Sequence, residues 1–169
     1  MADVRFREAV PADATAFATF LRSVWERSGP DAPGFAGATD AVIGELTTEE
    51  AILARIGGPA RRLFLASQAG HVIGFAATRR EPDGVVELAG IIVDPDAVGR
   101  GVGTGLVHIA EKRARDDGYI RMVVRTETTN DTAIGFYERN GFTRDRQVIE
   151  EVDDVSVEVW ELTKHLATR

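Results

Sequence analysis

The chain of 169 residues contains no cysteine. That removes disulfides, cysteine nucleophiles and cysteine-ligated zinc from consideration, and it is compatible with a reducing cytoplasm. No stretch approaches the roughly 20 apolar residues of a membrane span. The first thirty residues hold no long apolar core of the kind a secretory signal needs. The expectation is therefore a cytoplasmic protein without a membrane partner. His71, His108 and His165 fall on different elements with no paired spacing, so no metal site is expected. Ser23, Ser28, Ser67 and Ser156 lack a nucleophile-elbow context. There is no internal repeat and no low-complexity segment. The Gly-Lys-Ser/Thr of a P-loop is missing, and so is a properly spaced G-x-G-x-x-G: the third position falls on Thr104 or Leu106. A net charge of −7 argues against nucleic acid as a partner and would suit a cationic substrate.

What is present centres on Ile91 to Gly105, IIVDPDAVGRGVGTG. The apolar run Ile91–Ile92–Val93 reads as the end of a strand. Asp94–Pro95–Asp96 stops it, because proline has no N–H for a sheet ladder. Gly99, Gly101, Gly103 and Gly105 then alternate ahead of a helical pattern. Glycine permits positive φ and close backbone approach. A helix start leaves N–H groups without partners and carries about half a positive charge. Together these suit an anionic group, most plausibly phosphate.

At this length one domain spanning 1–169 is expected. Val4 to Val10 reads as a strand. Pro11–Ala12–Asp13 opens a helix in which Ala16, Phe17, Phe20, Leu21, Val24 and Trp25 recur at helical spacing. Residues 28 to 40 read as a loop. Thr47 or Thr48 caps a second helix, Glu49 to Ile56. Arg62–Gln68 and Val72–Arg79 form a hairpin, Glu81–Gly84 a turn, and Val85–Val93 a longer strand interrupted by Gly90, where a bulge is possible. A helix from about Gly103 to Asp117 is capped by Gly118. Tyr119–Thr126 is a strand with Ile120, Met122 and Val124 on one face. Asn130–Asn140 is a short helix, and Phe142–Ile149 and Val155–Leu162 are final strands turned at Asp153–Asp154. The predicted order is β-α-α-β-β-β-α-β-α-β-β: an α/β fold with a mixed sheet flanked by helices on both faces. The crossover helix sets the strands Val85–Val93 and Tyr119–Thr126 parallel.

Two segments carry a resemblance. Arg100–Gly101–Val102–Gly103–Thr104–Gly105 spells R-x-x-G-x-G, and Val93–x–Pro95 precedes it. About twenty-five residues on, Asn130–x–x–Ala133–x–x–Phe136–Tyr137–x–x–Asn140–Gly141–Phe142 reads N-x-x-A-x-x-x-Y-x-x-x-G-F. The pair closely resembles the GNAT superfamily of N-acetyltransferases, over residues 62 to 162 in element order. The resemblance implies transfer of an acetyl group from acetyl-CoA to a primary amine of a small molecule or peptide, by direct attack. It implies a coenzyme site from Ile91, Ile92, Val93, Val98, Gly99, Arg100, Gly101, Val102, Gly103, Thr104, Gly105, Asn130, Phe136 and Tyr137. In it the Val93 N–H polarises the thioester carbonyl, and Tyr137 is the general acid for the departing thiolate. A side chain at Gly103 or Gly105 would then block the pyrophosphate.

Bland readings stand beside these. Arg100 could be a solvated loop arginine, Asn130 an N-cap and Tyr137 a core aromatic. Glu87 is the best candidate base for the amine proton, against the alternative of a surface strand glutamate; Glu151 and Asp153 are weaker candidates. Trp25, Phe35 and Trp160 could line an acceptor pocket or pack in the core. A catalytically silent acyl-CoA sensor is the competing function. Monomer and homodimer both remain open.

Overall fold

The structure, a computed structural model, describes residues 3–29, 38–152 and 155–166. Among these are seven strands: β1 (Arg5–Glu8), β2 (Arg61–Gln68), β3 (His71–Arg80), β4 (Val85–Val93), β5 (Arg121–Glu127), β6 (Thr143–Val152) and β7 (Val155–His165). The helices are α1 (Ala14–Ser28), α2 (Asp40–Leu46), α3 (Glu49–Gly57), α4 (Val102–Asp116) and α5 (Asp131–Arg139). The sheet order is β1-β2-β3-β4-β5-β7-β6. β4 and β5 pair in parallel, as the crossover requires, while β1–β2, β2–β3, β5–β7 and β6–β7 are antiparallel.

The predicted element order lacks one helix. α2 is seven residues, D-A-V-I-G-E-L, with Gly44 inside it and Ile43 as its buried residue. So short a helix has little periodicity to read, and a central glycine lowers its intrinsic propensity. Its start is set by Thr39, whose hydroxyl accepts the Val42 N–H at 3.3 Å. α3 begins as predicted, with Thr48 Oγ1 accepting from the Ala51 N–H at 3.2 Å. Phe35 and the turn residues Asp153 and Asp154 lie outside the described residues.

The chain divides into two compact units, Met1–Arg79 with Gly90–Ala110, and Arg80–Ala89 with Glu111–Arg169. In the first, β1, β2 and β3 carry helices on both faces. Phe6, Ala66 and Gly74 form a cross-strand row, and α4 packs along it. A Cβ on Gly74 would lie 3.2 Å from Leu106 and 3.3 Å from Val102. The alternate residues, Leu63, Leu65, Phe75 and Ala77, meet α1 and α3 in one apolar cluster with Phe17, Phe20, Leu21, Val24 and Ile52. Phe17 and Phe75 stand edge to face, centroids 4.9 Å apart.

In the second unit, β5 and β7 are in register from Arg121↔His165 to Glu127↔Val159. Met122, Val124, Leu162 and Lys164 share one face. There Lys164 Nζ donates to Glu111 of α4 at 2.5 Å and to the Asn140 carbonyl at the end of α5 at 2.7 Å. Gly118 ends α4 as predicted, at φ 86°, with Tyr119 N–H on the Ala114 carbonyl at 3.0 Å. Ile120 departs from the prediction. It precedes β5 and is 52% exposed, although its N–H bonds the Gly84 carbonyl and its own carbonyl the Leu166 N–H.

Candidate active site

In the first unit, β4 ends at Val93 and the chain makes a 3-10 turn over Pro95–Ala97, where Asp94 Oδ1 accepts the Asp96 N–H at 2.9 Å. Val98 follows in extended conformation, 66% exposed. Gly99 and Gly101 both take positive φ, 78° and 79°, and a Cβ on either would meet nothing within 4 Å. The backbone there borders open space. α4 starts at Val102, and its first i→i−4 bond runs from Gly105 N–H to the Gly101 carbonyl at 3.0 Å. The first-turn amides of Val102, Gly103 and Thr104 precede that bond and have no acceptor within the helix. Amides of this kind suit an anion. Arg100 reaches back to Gln68 Oε1 at 3.0 Å.

One of the predicted coenzyme residues changes role. Gly105 was expected to make room for phosphate. Its amide is already bonded inside the helix, and its missing Cβ is required by the ring of Phe6, with which any Cβ would collide. Its smallness serves the packing of α4 on β1. Val102 is 2% exposed, so its side chain belongs to the core and only its backbone is available. Ile92 is likewise buried, whereas Ile91, Val93, Gly103 and Thr104 are partly exposed.

In the second unit, β4 and β5 pair from Val85↔Arg121 to Glu87↔Val123. The face opposite Lys164 carries an ionic cluster built on Arg125. Its Nη1 donates to Glu81 at 2.7 Å and to Glu87 at 3.0 Å. Its Nη2 donates to Glu161 at 2.7 Å and Glu81 at 3.3 Å, and its Nε to Glu161 at 3.0 Å. Five bonds match the five N–H groups of a guanidinium. Glu150 lies 3.6 Å from Nε, and Arg146 binds Glu161 at 3.1 Å. Four carboxylates thus gather about Arg125 and Arg146. Hydrogen bonding to Glu81, aided by the neighbouring carboxylates, raises Arg125 further above its ordinary value against the opposing effect of burial. Burial pushes Glu161 up, but the bonds from Arg125 and Arg146 outweigh it and hold the carboxyl below the usual range. Glu87 is therefore not a surface strand residue: it is 6% exposed and fixed on Arg125.

Asn130 caps α5, its Oδ1 accepting the Ala133 N–H at 3.1 Å. Tyr137 is 7% exposed, with its ring edge-on to Phe136 at 5.3 Å and Phe142 at 5.8 Å. Burial pushes its hydroxyl up to about 12. Glu151 is exposed and accepts from the Ser156 hydroxyl at 2.6 Å, and Asp153 lies outside the described residues. Trp25 donates its indole N–H to Asp40 at 2.7 Å, tying α1 to α2, and Arg144 stacks over Trp160 at 5.6 Å.

Sequence reasoning missed Arg125 and Glu161. The available signal was a charged residue two positions after a valine in each of two strands, Arg125 after Val123 and Glu161 after Val159. Among the described residues no group of three or more His, Asp or Glu side chains could hold a metal ion. No helix among them is long and apolar enough to cross a membrane.

Comparison with known proteins bears on this geometry. The sequence pattern of the acetyltransferase (GNAT) family matches residues 24–142. A mycothiol acetyltransferase of Thermomonospora curvata is 39% identical over 82 residues, 48% of this chain and 28% of that protein. An uncharacterised N-acetyltransferase of Mycobacterium tuberculosis is 31% identical over 84 residues, 50% of this chain and 54% of that protein. The chain thus matches about a quarter of the length of the mycothiol enzymes. Among solved structures, the PaiA N-acetyltransferase of Thermoplasma acidophilum in complex with coenzyme A superposes with a TM-score of 0.71. It is 18% identical, covering 96% of this chain and 99% of that one. A GNAT-family acetyltransferase of Streptococcus pneumoniae gives 0.73 at 19% identity, covering 98% and 100%.

Proposed function

The chain belongs to the GNAT family of acetyltransferases, and from that premise we propose that it moves an acetyl group from acetyl-CoA to a primary amine by direct attack. The observation that carries this reading is the Val98–Thr104 segment: two positive-φ glycines bordering open space, followed by the first-turn amides of α4. Such amides, backed by the helix dipole, suit a pyrophosphate. The coenzyme A held by the Thermoplasma relative supports the same ligand class.

Acetyl-CoA supplies the activated acetyl group; the chain supplies position and proton handling. The amides of Val98 to Thr104, with Arg100 beside them, hold the phosphates. The Val93 amide polarises the thioester carbonyl, and Asn130 and Phe136 border the pantetheine arm. An alkyl amine near pKa 10.4 is almost wholly protonated at neutral pH, with roughly one molecule in two thousand free. Glu87 takes that proton, directly or through one water. Arg125 keeps Glu87 in place, and the chain's net charge of −7 suits an acceptor that arrives as a cation. By the family resemblance, Tyr137 serves the leaving sulfur. With its hydroxyl at about 12 against about 8.5 for a thiol, the general-acid role that the resemblance implies gives way to a milder one: it stays protonated and stabilises the thiolate by hydrogen bonding as charge develops.

A panel of primary amines, assayed by release of free CoA, tests the reaction. Acetyl-CoA should raise the melting temperature by mass action, and Arg100→Glu should weaken that rise without unfolding the protein. No shift at millimolar acetyl-CoA would remove the loop assignment. Glu87→Gln should slow turnover most near neutral pH and be partly rescued at high pH, where free amine is plentiful. A wild-type profile in that variant would return the proton to another base.

A further inference from the structure

We infer that Arg27 is a positioning residue for the acyl donor: from the last turn of α1 it grips the turn that launches the Val98–Thr104 segment. The geometry is bidentate. Arg27 Nη2 lies 2.6 Å from Asp94 Oδ2 and Nη1 lies 3.2 Å from Asp94 Oδ1, with Nη1 also 3.1 Å from Asp96. The guanidinium is itself aimed, because its Nε donates to the Ser23 carbonyl one turn back at 3.2 Å. Asp94 is the joint of the whole turn. Its N–H binds the Ile73 carbonyl of β3 at 2.8 Å, its carbonyl accepts from Ala97 N–H at 2.8 Å, and its carboxylate accepts from Asp96 N–H. Hydrogen bonding to Arg27 holds the Asp94 carboxyl below the ordinary carboxylate range.

Downstream of this joint, the Val98 side chain is 66% exposed, so the direction of the next amides depends on the buried Ala97 before it, Val102 after it and the Arg100–Gln68 hydrogen bond between them. A planar, two-point clamp on Asp94 restricts rotation of that short span more than a point charge would. The Arg27 and Asp94 side chains are 39% and 18% exposed, where an ion pair adds little to global stability. The clamp therefore acts on ligand affinity more than on folding. This rests on the reading of the segment as the coenzyme site, and the test separates the two.

Isothermal titration with coenzyme A is run on wild type, Arg27→Met, Arg27→Lys, Asp94→Asn and the Met/Asn double variant, with melting temperatures measured on each. Wild type binds. Arg27→Met and Asp94→Asn each bind about fivefold or more weakly, and the double variant is no weaker than the poorer single, as residues acting as one unit require. Arg27→Lys recovers part of the loss, and apo melting temperatures stay within about 3 °C of wild type. Wild-type affinity in Arg27→Met, or single losses that multiply in the double variant, would overturn the role of Arg27 while leaving the site intact. A wild type that does not bind coenzyme A overturns both.

Discussion

Tyr137 shows how one side chain can satisfy two readings at once. It is a core aromatic by burial and by its contacts with Phe136 and Phe142, and its raised hydroxyl is fitted to donate a hydrogen bond and unfitted to lose its proton. Tyr137→Phe preserves the ring and deletes the donor. We expect kcat to fall by roughly 10²-fold with little change in KM for acetyl-CoA, since the lost bond forms as charge develops on sulfur. With the hydroxyl at about 12, titration of this group should cause no alkaline loss of wild-type activity below about pH 11. Steady-state kinetics from about pH 6 to about pH 11 check both statements. An unchanged kcat in the Phe variant would leave the side chain with packing alone.

At the scale of elements, α4 is where the chemistry of the loop and the packing of the first unit meet. Its Gly105 lies on Phe6 with no room for a Cβ. Replacing a helical glycine by alanine ordinarily gains about 1 kcal/mol; here overpacking costs of 1–3 kcal/mol oppose the gain. Gly105→Ala should lower the melting temperature by about 3–6 °C, and adding Phe6→Leu should restore part of it. If Gly105→Ala alone is stabilised, the packing explanation fails.

The same helix shows what could be read in advance. Its limits, its Gly118 cap and the parallel pairing of the strands it joins were legible, because periodicity and cap chemistry are local signals. Gly105 was legible as a glycine but not for its reason, since Phe6 lies a hundred positions away in the chain. Arg125 illustrates the same limit. Alternation in β5 puts it on the face of Val123, but only the register Arg125↔Glu161 with β7 supplies the carboxylate opposite. α2 was missed for the opposite cause: its signal is local and too short.

For the molecule as a whole, Asp13, Asp94 and Glu161 share one property. Each carboxyl is held below its ordinary value by arginine: Arg7 for Asp13, Arg27 for Asp94, and Arg125 with Arg146 for Glu161. A depressed carboxyl contributes stability that is present above its unfolded pKa, near 4, and is lost as pH falls through its folded value. The melting temperature should therefore hold from neutral pH to about 5 and fall below about 4. Asp13→Asn should flatten part of that fall, because Asp13 Oδ1 and Oδ2 both receive Arg7, at 2.6 and 2.7 Å. A mutant with an unaltered acid limb would show that the loss arises at other groups.

The sequence has two tryptophans, and they fall in different units: Trp25 at the α1–α2 joint of the first, Trp160 beneath Arg144 in the second. Each is therefore a private fluorescent reporter. Trp160→Phe leaves emission from the first unit alone, and Trp25→Phe leaves emission from the second. Strand β4 crosses from one unit to the other between Ala89 and Gly90, and helix α4 does so between Ala110 and Glu111. Elements shared in this way should couple the two melts, so urea titrations of the two variants, each normalised to its own midpoint, should trace one curve with one m-value. Different m-values, or a plateau seen by one tryptophan and not the other, would mean that the chain folds as two cooperative bodies despite the continuous strand and helix.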